Sequence, residues 1–415
     1  MEYTNWILKR LLDKYYESSV YINGEGKRRV MLKPSKEACL KEWLEKSDSK
    51  ETIFNALASL KKKGLLDYSW VKFEEGNLIE SIWLNTTEES ISQVCGLLNV
   101  TPRKKQLEQL LQILEDAVEQ LQDDYELKSF LREQIEYIHD KHKLSRFFSD
   151  DMYENASLLR FLIAMAHNDN EQFERVLSSS LYQDSKYFER VLKGKVISIL
   201  KSIRIKETTE DVSDDELLGS YGITRWPEIL EFCGDVELVM QDGAKIDFSS
   251  LRWGASINSM VVPQIADVKI GCIKKVLFVE NRANYFWAVQ HKKENELIIY
   301  HGGFYSLIRG KWFKILYQSC KMAEDVEFYH WSDIDLGGFR IFTRLQKNII
   351  PELQPWKMDI ETLDVNKNNT SSIKNLAYLK ALENLLMDKD YTIFYPVIHK
   401  MLAEKIRLEQ ECELS

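Results

Sequence analysis

Three carboxylates in the second half of the chain stand where apolar runs give out. Glu280 follows Val276-Leu277-Phe278-Val279, and Asp333 and Asp335 follow the run from Val326 to Trp331. Val276 to Val279 is a short apolar run fit for a buried parallel strand, and Val326 to Trp331 has the length and placement of another. Leu297 to Tyr300 is a third such run, and it ends in His301-Gly302-Gly303. Two aspartates at i and i+2, where a strand gives way to a loop, can turn toward one hard cation, and an opposing glutamate supplies another oxygen ligand or a general base. Such a set suits Mg²⁺ or Mn²⁺. Gly302, Gly303, Gly337 and Gly338 let the backbone approach a phosphate and leave nearby helix N-termini free to face it. A metal between carboxylates and phosphate can stabilise an in-line displacement and activate water. His301 and His330 flank the cluster, able either to touch phosphate or to pack at a strand end. Taken singly, an Asp-x-Asp can merely cap a helix and a glutamate after a strand can be a solvated turn residue. In register on successive units they favour the chemical reading.

That reading needs a scaffold that gathers three strand ends. Helical segments from Ala283 to His291, Phe304 to Ser319 and Phe339 to Asn348 alternate with the three runs, which makes a βαβαβα array, and open parallel sheets bind ligands outside the carboxyl ends of their strands. The array has no Gly-x-x-x-x-Gly-Lys-Ser/Thr loop and no Gly-x-Gly-x-x-Gly or Gly-x-Ser-x-Gly signature, which excludes P-loop ATPases, Rossmann dehydrogenases and serine hydrolases of the elbow type.

Upstream the pattern is different. The first 90 or so residues predict a helix carrying Leu8, Leu11, Leu12 and Tyr15 on one face, a helix after Pro34-Ser35, and a helix from Glu51 to Lys63. Leu66 to Phe73 and Leu78 to Leu84 then form a hairpin around Glu74-Glu75-Gly76-Asn77. Helix, helix, hairpin is winged-helix order, and Lys61-Lys62-Lys63 is a candidate phosphate contact, although a helix packed on a hairpin with no ligand gives the same pattern. From Pro102 to His142 the leucine stripe predicts one long helix; its His139-x-x-His142 lacks further metal ligands. Helices continue through residues 150–205, the acidic stretch Glu207 to Glu216 reads as solvated surface, and Glu237 to Met240 with Lys245 to Phe248 form a second hairpin.

Composition agrees with a large globular protein. The chain has 415 residues, 44% hydrophobic and 29% charged, with 17 Gly and 7 Pro, which excludes fibrous and disordered classes. Its net charge of −9 means that any nucleic-acid partner is met by local basic surface. Six scattered cysteines form neither a zinc ribbon nor a disulfide framework. No signal peptide and no apolar span of about 18 residues is present, so a cytoplasmic protein without membrane contact is expected.

The segments VLFVENRANYF, HGGFYS and HWSDIDLGGFRIF resemble the Toprim domain of the JetD family, the nuclease subunit of Wadjet plasmid-defence systems, which is similar to the A subunit of topoisomerase VI. DSKYFER (184–190) and GITRWPEILEFCG (222–234) extend the resemblance upstream. It implies an α/β plus α+β protein: an N-terminal winged-helix-like domain (1–95), a helical spacer (96–180), a CAP-like winged-helix domain (181–267) and a Toprim domain with a Rossmann-like parallel sheet (268–415). It also implies a homodimer, circular plasmid DNA as substrate, and partner subunits from a condensin-like SMC complex. Glu280 takes the place of the first Toprim glutamate, Asp333 and Asp335 that of the Asp-x-Asp pair. Strand transfer of the topoisomerase kind needs a nucleophilic tyrosine, for which Tyr221 is the nearest candidate by position, in a place where the family pattern has an aliphatic residue. Hydrolysis by metal-bound water is therefore expected, against two alternatives: a tyrosine-dependent cleavage enzyme and a non-catalytic winged-helix DNA adaptor.

Overall fold

A computed structural model of the chain describes residues 2–24, 28–121, 124–204, 212–323 and 325–414. Part of the acidic stretch from Glu207 lies outside them. The chain divides into two compact units, Met1–Leu159 and Arg160–Ser415.

In the first unit, the helix Glu2–Tyr16 buries Ile7, Leu8, Leu11, Leu12 and Tyr16. They meet Leu40, Ile53, Leu57 and Leu60 of the helices Ala38–Glu45 and Ser47–Lys62, and Leu66, Ile82 and Leu84 of an antiparallel hairpin, Leu66–Trp70 with Ile79–Leu84. The predicted single helix from Pro102 to His142 is two helices, Arg103–Gln120 and Tyr125–Lys141, packed on each other. The break has a local cause: the Asp124 carboxylate accepts the Leu127 N–H at 2.9 Å and so starts a new helix. Folding back lets each helix cover the other's apolar stripe, which a single extended rod leaves wet.

The second unit is organised around a six-stranded sheet made of β1 (Ile229–Cys233), β2 (Ala255–Asn258), β3 (Lys275–Val279), β4 (Glu296–Tyr300), β5 (Glu327–Trp331) and β6 (Gln354–Pro355), in the order β6-β5-β3-β4-β1-β2. The four strands from β3 onward that carry the array are parallel; β1 and β2 add to the β4 edge antiparallel. The sheet is therefore mixed, and residues on both sides of position 267 share it. Alternate residues of β3 face opposite ways, as the pleat requires. Val276 and Phe278 join the core under α2 (Leu307–Lys321) and α3 (Leu336–Asn348), whereas Leu277 and Val279 pack with Tyr285, Ala288 and Val289 of α1 (Arg282–Gln290). The chain leaves β3 toward β4 on one side and returns to β5 on the other. Strand order thus reverses at β3 and β5, the place beyond whose carboxyl ends open α/β sheets bind ligands.

Candidate functional site

Glu280 and Asp333 follow the two strands that flank this reversal. The Glu280 N–H donates to the Trp331 carbonyl at 3.0 Å, which extends the β3–β5 pairing by one residue and holds Glu280 beside the loop that begins at Ser332. Its Oε2 is shut off from solvent and has no hydrogen-bond partner. Burial raises the Glu280 carboxyl well above the usual range, and Asp333 and Asp335 push it further in the same direction. Asp333 is raised to about 7, again by burial first and then by Asp335, against the lowering effect of the N–H that Gln410 donates to it. Of the three carboxylates expected from sequence, Glu280 and Asp333 are thus both raised by burial, and each feels the charge of Asp335.

Asp335 has a divided task. It is the N-cap of α3, accepting the Gly338 N–H at 2.8 Å through Oδ1, and its Oδ2 lies 3.9 Å from Arg407 Nη1. The capping alternative therefore describes one of its two oxygens.

The predicted phosphate contacts sit differently from expectation. Leu336 and Gly338 spend their N–H groups on the Tyr378 hydroxyl and Asp335, so these two donors of α3 are already taken. A Cβ at Gly338 would stand 2.2 Å from the Asp333 carbonyl oxygen, so glycine here admits the helix against the Asp333 loop. Gly338→Ala is accordingly expected to lower the melting temperature by roughly 4–10 °C in a thermal scan, the cost of overpacking a tight contact. Gly303 has φ +65, and its missing Cβ leaves room for a Glu216 oxygen, which also accepts the Phe304 N–H. Gly302 lies beside it, also at positive φ, and Gly337 flanks the Asp335 cap. Glu216 is thus half-buried and engaged at the site, where the acidic stretch was expected to be solvated; it also closes a capping box with Ser213.

His301 and His330 are 1% and 0% exposed and stack with ring centroids 4.7 Å apart. Burial lowers His301 to about 3 and His330 well below its ordinary value, so both rings are neutral. Neither offers surface to a phosphate; they are the packed strand-end histidines of the alternative reading. Lys61, Lys62 and Lys63 lie in the first unit, exposed at the end of their helix, with Lys61 paired to Asp67 at 2.6 Å.

The strongest addition to the site comes from a stretch that no sequence motif marks. Leu408 pairs with Ile334 as an antiparallel bridge, so the segment around residue 409 runs alongside the Asp333-Ile334-Asp335 loop. This register brings Arg407 to Asp335 and Glu409 to Asp333. One oxygen each from Asp333, Glu409 and Glu411 lies within 4.8 Å of the others. The i, i+2 acidic spacing that marked Asp333 and Asp335 recurs in Glu409-x-Glu411, and it is the signal that could have found them.

The family model for the Wadjet protein JetD C-terminal region matches residues 238–413, a span that holds every carboxylate of this cluster. Over that span the chain is similar to the JetD family. The Wadjet protein JetD of Bacillus cereus (strain Q1) is 25% identical to it over 424 residues, covering 99% of this chain and 98% of that relative. The likeness to JetD therefore extends well beyond the C-terminal match. Among the described residues no helix is long and apolar enough to cross a membrane.

Proposed function

We propose that the chain is a metal-dependent DNA endonuclease of a Wadjet-type defence system, with residues 268–415 as a Toprim catalytic domain. The carrying observation is the Glu280 Oε2, closed to solvent and without a partner beside two further carboxylates at the reversal of the sheet. A buried carboxylate oxygen left without a donor is costly, and a hard cation is the ligand that satisfies it. The donor set is all oxygen, which fits Mg²⁺ or Mn²⁺ and disfavours softer metals. Glu280, Asp333, Glu409 and Glu411 would hold the ion, with Asp335 beside them. When bound, the ion supplies Lewis-acid stabilisation of phosphate charge and an acidified water. The protein's own part is to keep the carboxylates fixed and dry, Glu280 by its place at the end of β3 and Asp335 by the α3 cap.

Winged-helix units before and after the helical spacer in the sequence bind the DNA, and a homodimer lets each protomer cut one strand. The relative's name assigns it to the Wadjet system; in the reading proposed here the partner is a condensin-like SMC complex and the substrate closed-circular plasmid. Purified protein, SMC partners, ATP and Mg²⁺ or Mn²⁺ incubated with circular plasmid should yield linear DNA with protein-free ends. Ends carrying covalent protein would instead support a tyrosine nucleophile, and intact circles under all conditions would support an adaptor.

For the N-terminal unit, Lys62→Glu with Lys63→Glu should weaken DNA binding and lower the slope of log affinity against log salt by about 2, one for each phosphate that is no longer neutralised. Titrations at several salt concentrations read this directly, and an unchanged slope removes the two lysines from the DNA path.

A further inference from the structure

Gln410 is completely buried and engages all four of its polar groups at the site. Its N–H donates to Asp333 Oδ1 at 2.6 Å and its Nε2 to the Trp331 carbonyl at 3.1 Å. Its Oε1 accepts the Asn281 N–H at 2.9 Å, and its carbonyl accepts from Asn284 Nδ2 at 2.8 Å. One amide therefore ties together the corner after β3, the corner after β5 and the segment that carries Glu409 and Glu411. Asn281 adds a second tie, its side-chain amide donating to Glu411. The side-chain amide is used in both senses, donating through Nε2 and accepting through Oε1. Glutamate sets an oxygen against the Trp331 carbonyl, and methionine removes both the donor to that carbonyl and the acceptor of the Asn281 N–H.

We infer that Gln410 is a positioning residue for the cation proposed above: it seats the segment from Arg407 to Glu411 as one wall of the site, fixes the Asp333 carboxylate and presents Glu409 and Glu411 to the same ion. The inference rests on the metal reading of the cluster. Glu280 Oε2, buried and without a partner, is the independent sign that this pocket of carboxylates awaits a ligand. Supporting groups of this kind act through the ligands they orient, and losing one costs metal affinity tenfold to a hundredfold.

Mn²⁺ titration of the full chain, followed by electron paramagnetic resonance, tests it without any turnover. Q410E and Q410M should each weaken Mn²⁺ binding at least tenfold while far-UV circular dichroism stays native. E409Q/E411Q, which changes only more accessible side chains, should weaken it as well. Adding Q410E to that double variant should have little further effect, because both changes remove the same wall. A lower melting temperature with Mn²⁺ affinity unchanged would show Gln410 to be structural and overturn the inference. Unchanged affinity in E409Q/E411Q would overturn it even where the Gln410 variants fail to fold. A wild-type chain that binds no Mn²⁺ overturns the metal reading itself, and the role of Gln410 with it.

Discussion

Asp333→Asn should reduce plasmid cutting by about a thousandfold or more while the protein remains folded and binds DNA as before. The expectation rests on where this carboxylate stands. It is shared between the Glu280 and Asp335 side and the Glu409 and Glu411 side of the cluster. Losing a charged ligand at that junction removes several kcal/mol of charge stabilisation, and each 1.36 kcal/mol is about tenfold in rate. Asparagine keeps the oxygen that accepts the Gln410 N–H, so the loop is not released. Asp335 is the poorer test residue, because its substitution also uncaps α3. Cutting by Asp333→Asn within tenfold of wild type, with SMC partners and Mg²⁺ present, would remove Asp333 from the chemistry.

The same substitution should make the metal-free protein more stable at pH 8. An acid whose value rises on folding binds its proton more tightly in the folded state, so its contribution to stability falls as pH climbs from the unfolded value and is fully adverse above the folded one. For Asp333 that window runs from 3.8 to about 7, and at pH 8 the cost is on the order of 4 kcal/mol. Asparagine removes it. His301 and His330 have the opposite sense: buried neutral, they stabilise above pH 6.5 and lose that contribution as pH falls. They act equally in both proteins, so the difference between variant and wild type isolates the carboxylate. Differential scanning in chelator should show Asp333→Asn melting roughly 5–10 °C higher at pH 8, with the gap closing toward pH 4. A gap of constant size across that range contradicts the electrostatic account. Glu280→Gln should follow the same trend, since burial and the two aspartates raise Glu280 too.

Local chemistry made much of this legible before any coordinates. The runs at Val276 and Leu297 are apolar because both faces of β3 and β4 are covered, and the ends of these runs and of the run at Val326 mark the corners that carry Glu280, His301 and Asp333. Pairing between distant segments was not legible. Nothing local shows that Ile229–Cys233 joins the edge of β4, or that Leu408 runs beside Ile334. The helix from Pro102 was misjudged for a related reason: its stripe continues through the break, and only the cap at Asp124 divides it. Gly303 and Gly338 were read as places of close backbone approach to phosphate; in the fold it is Glu216 and the Asp333 loop that come near them. His301 and His330 looked polar on paper and are core residues in the fold.

The Asp333 to Gln410 hydrogen bond joins positions 77 residues apart. During translation, a chain emerging from the ribosome has its first strand corners in hand long before Glu409, Gln410 and Glu411 arrive. A half-made copy therefore lacks the closing wall, and in a cell full of its own DNA the proposed nuclease stays harmless until the last part of the domain is threaded home.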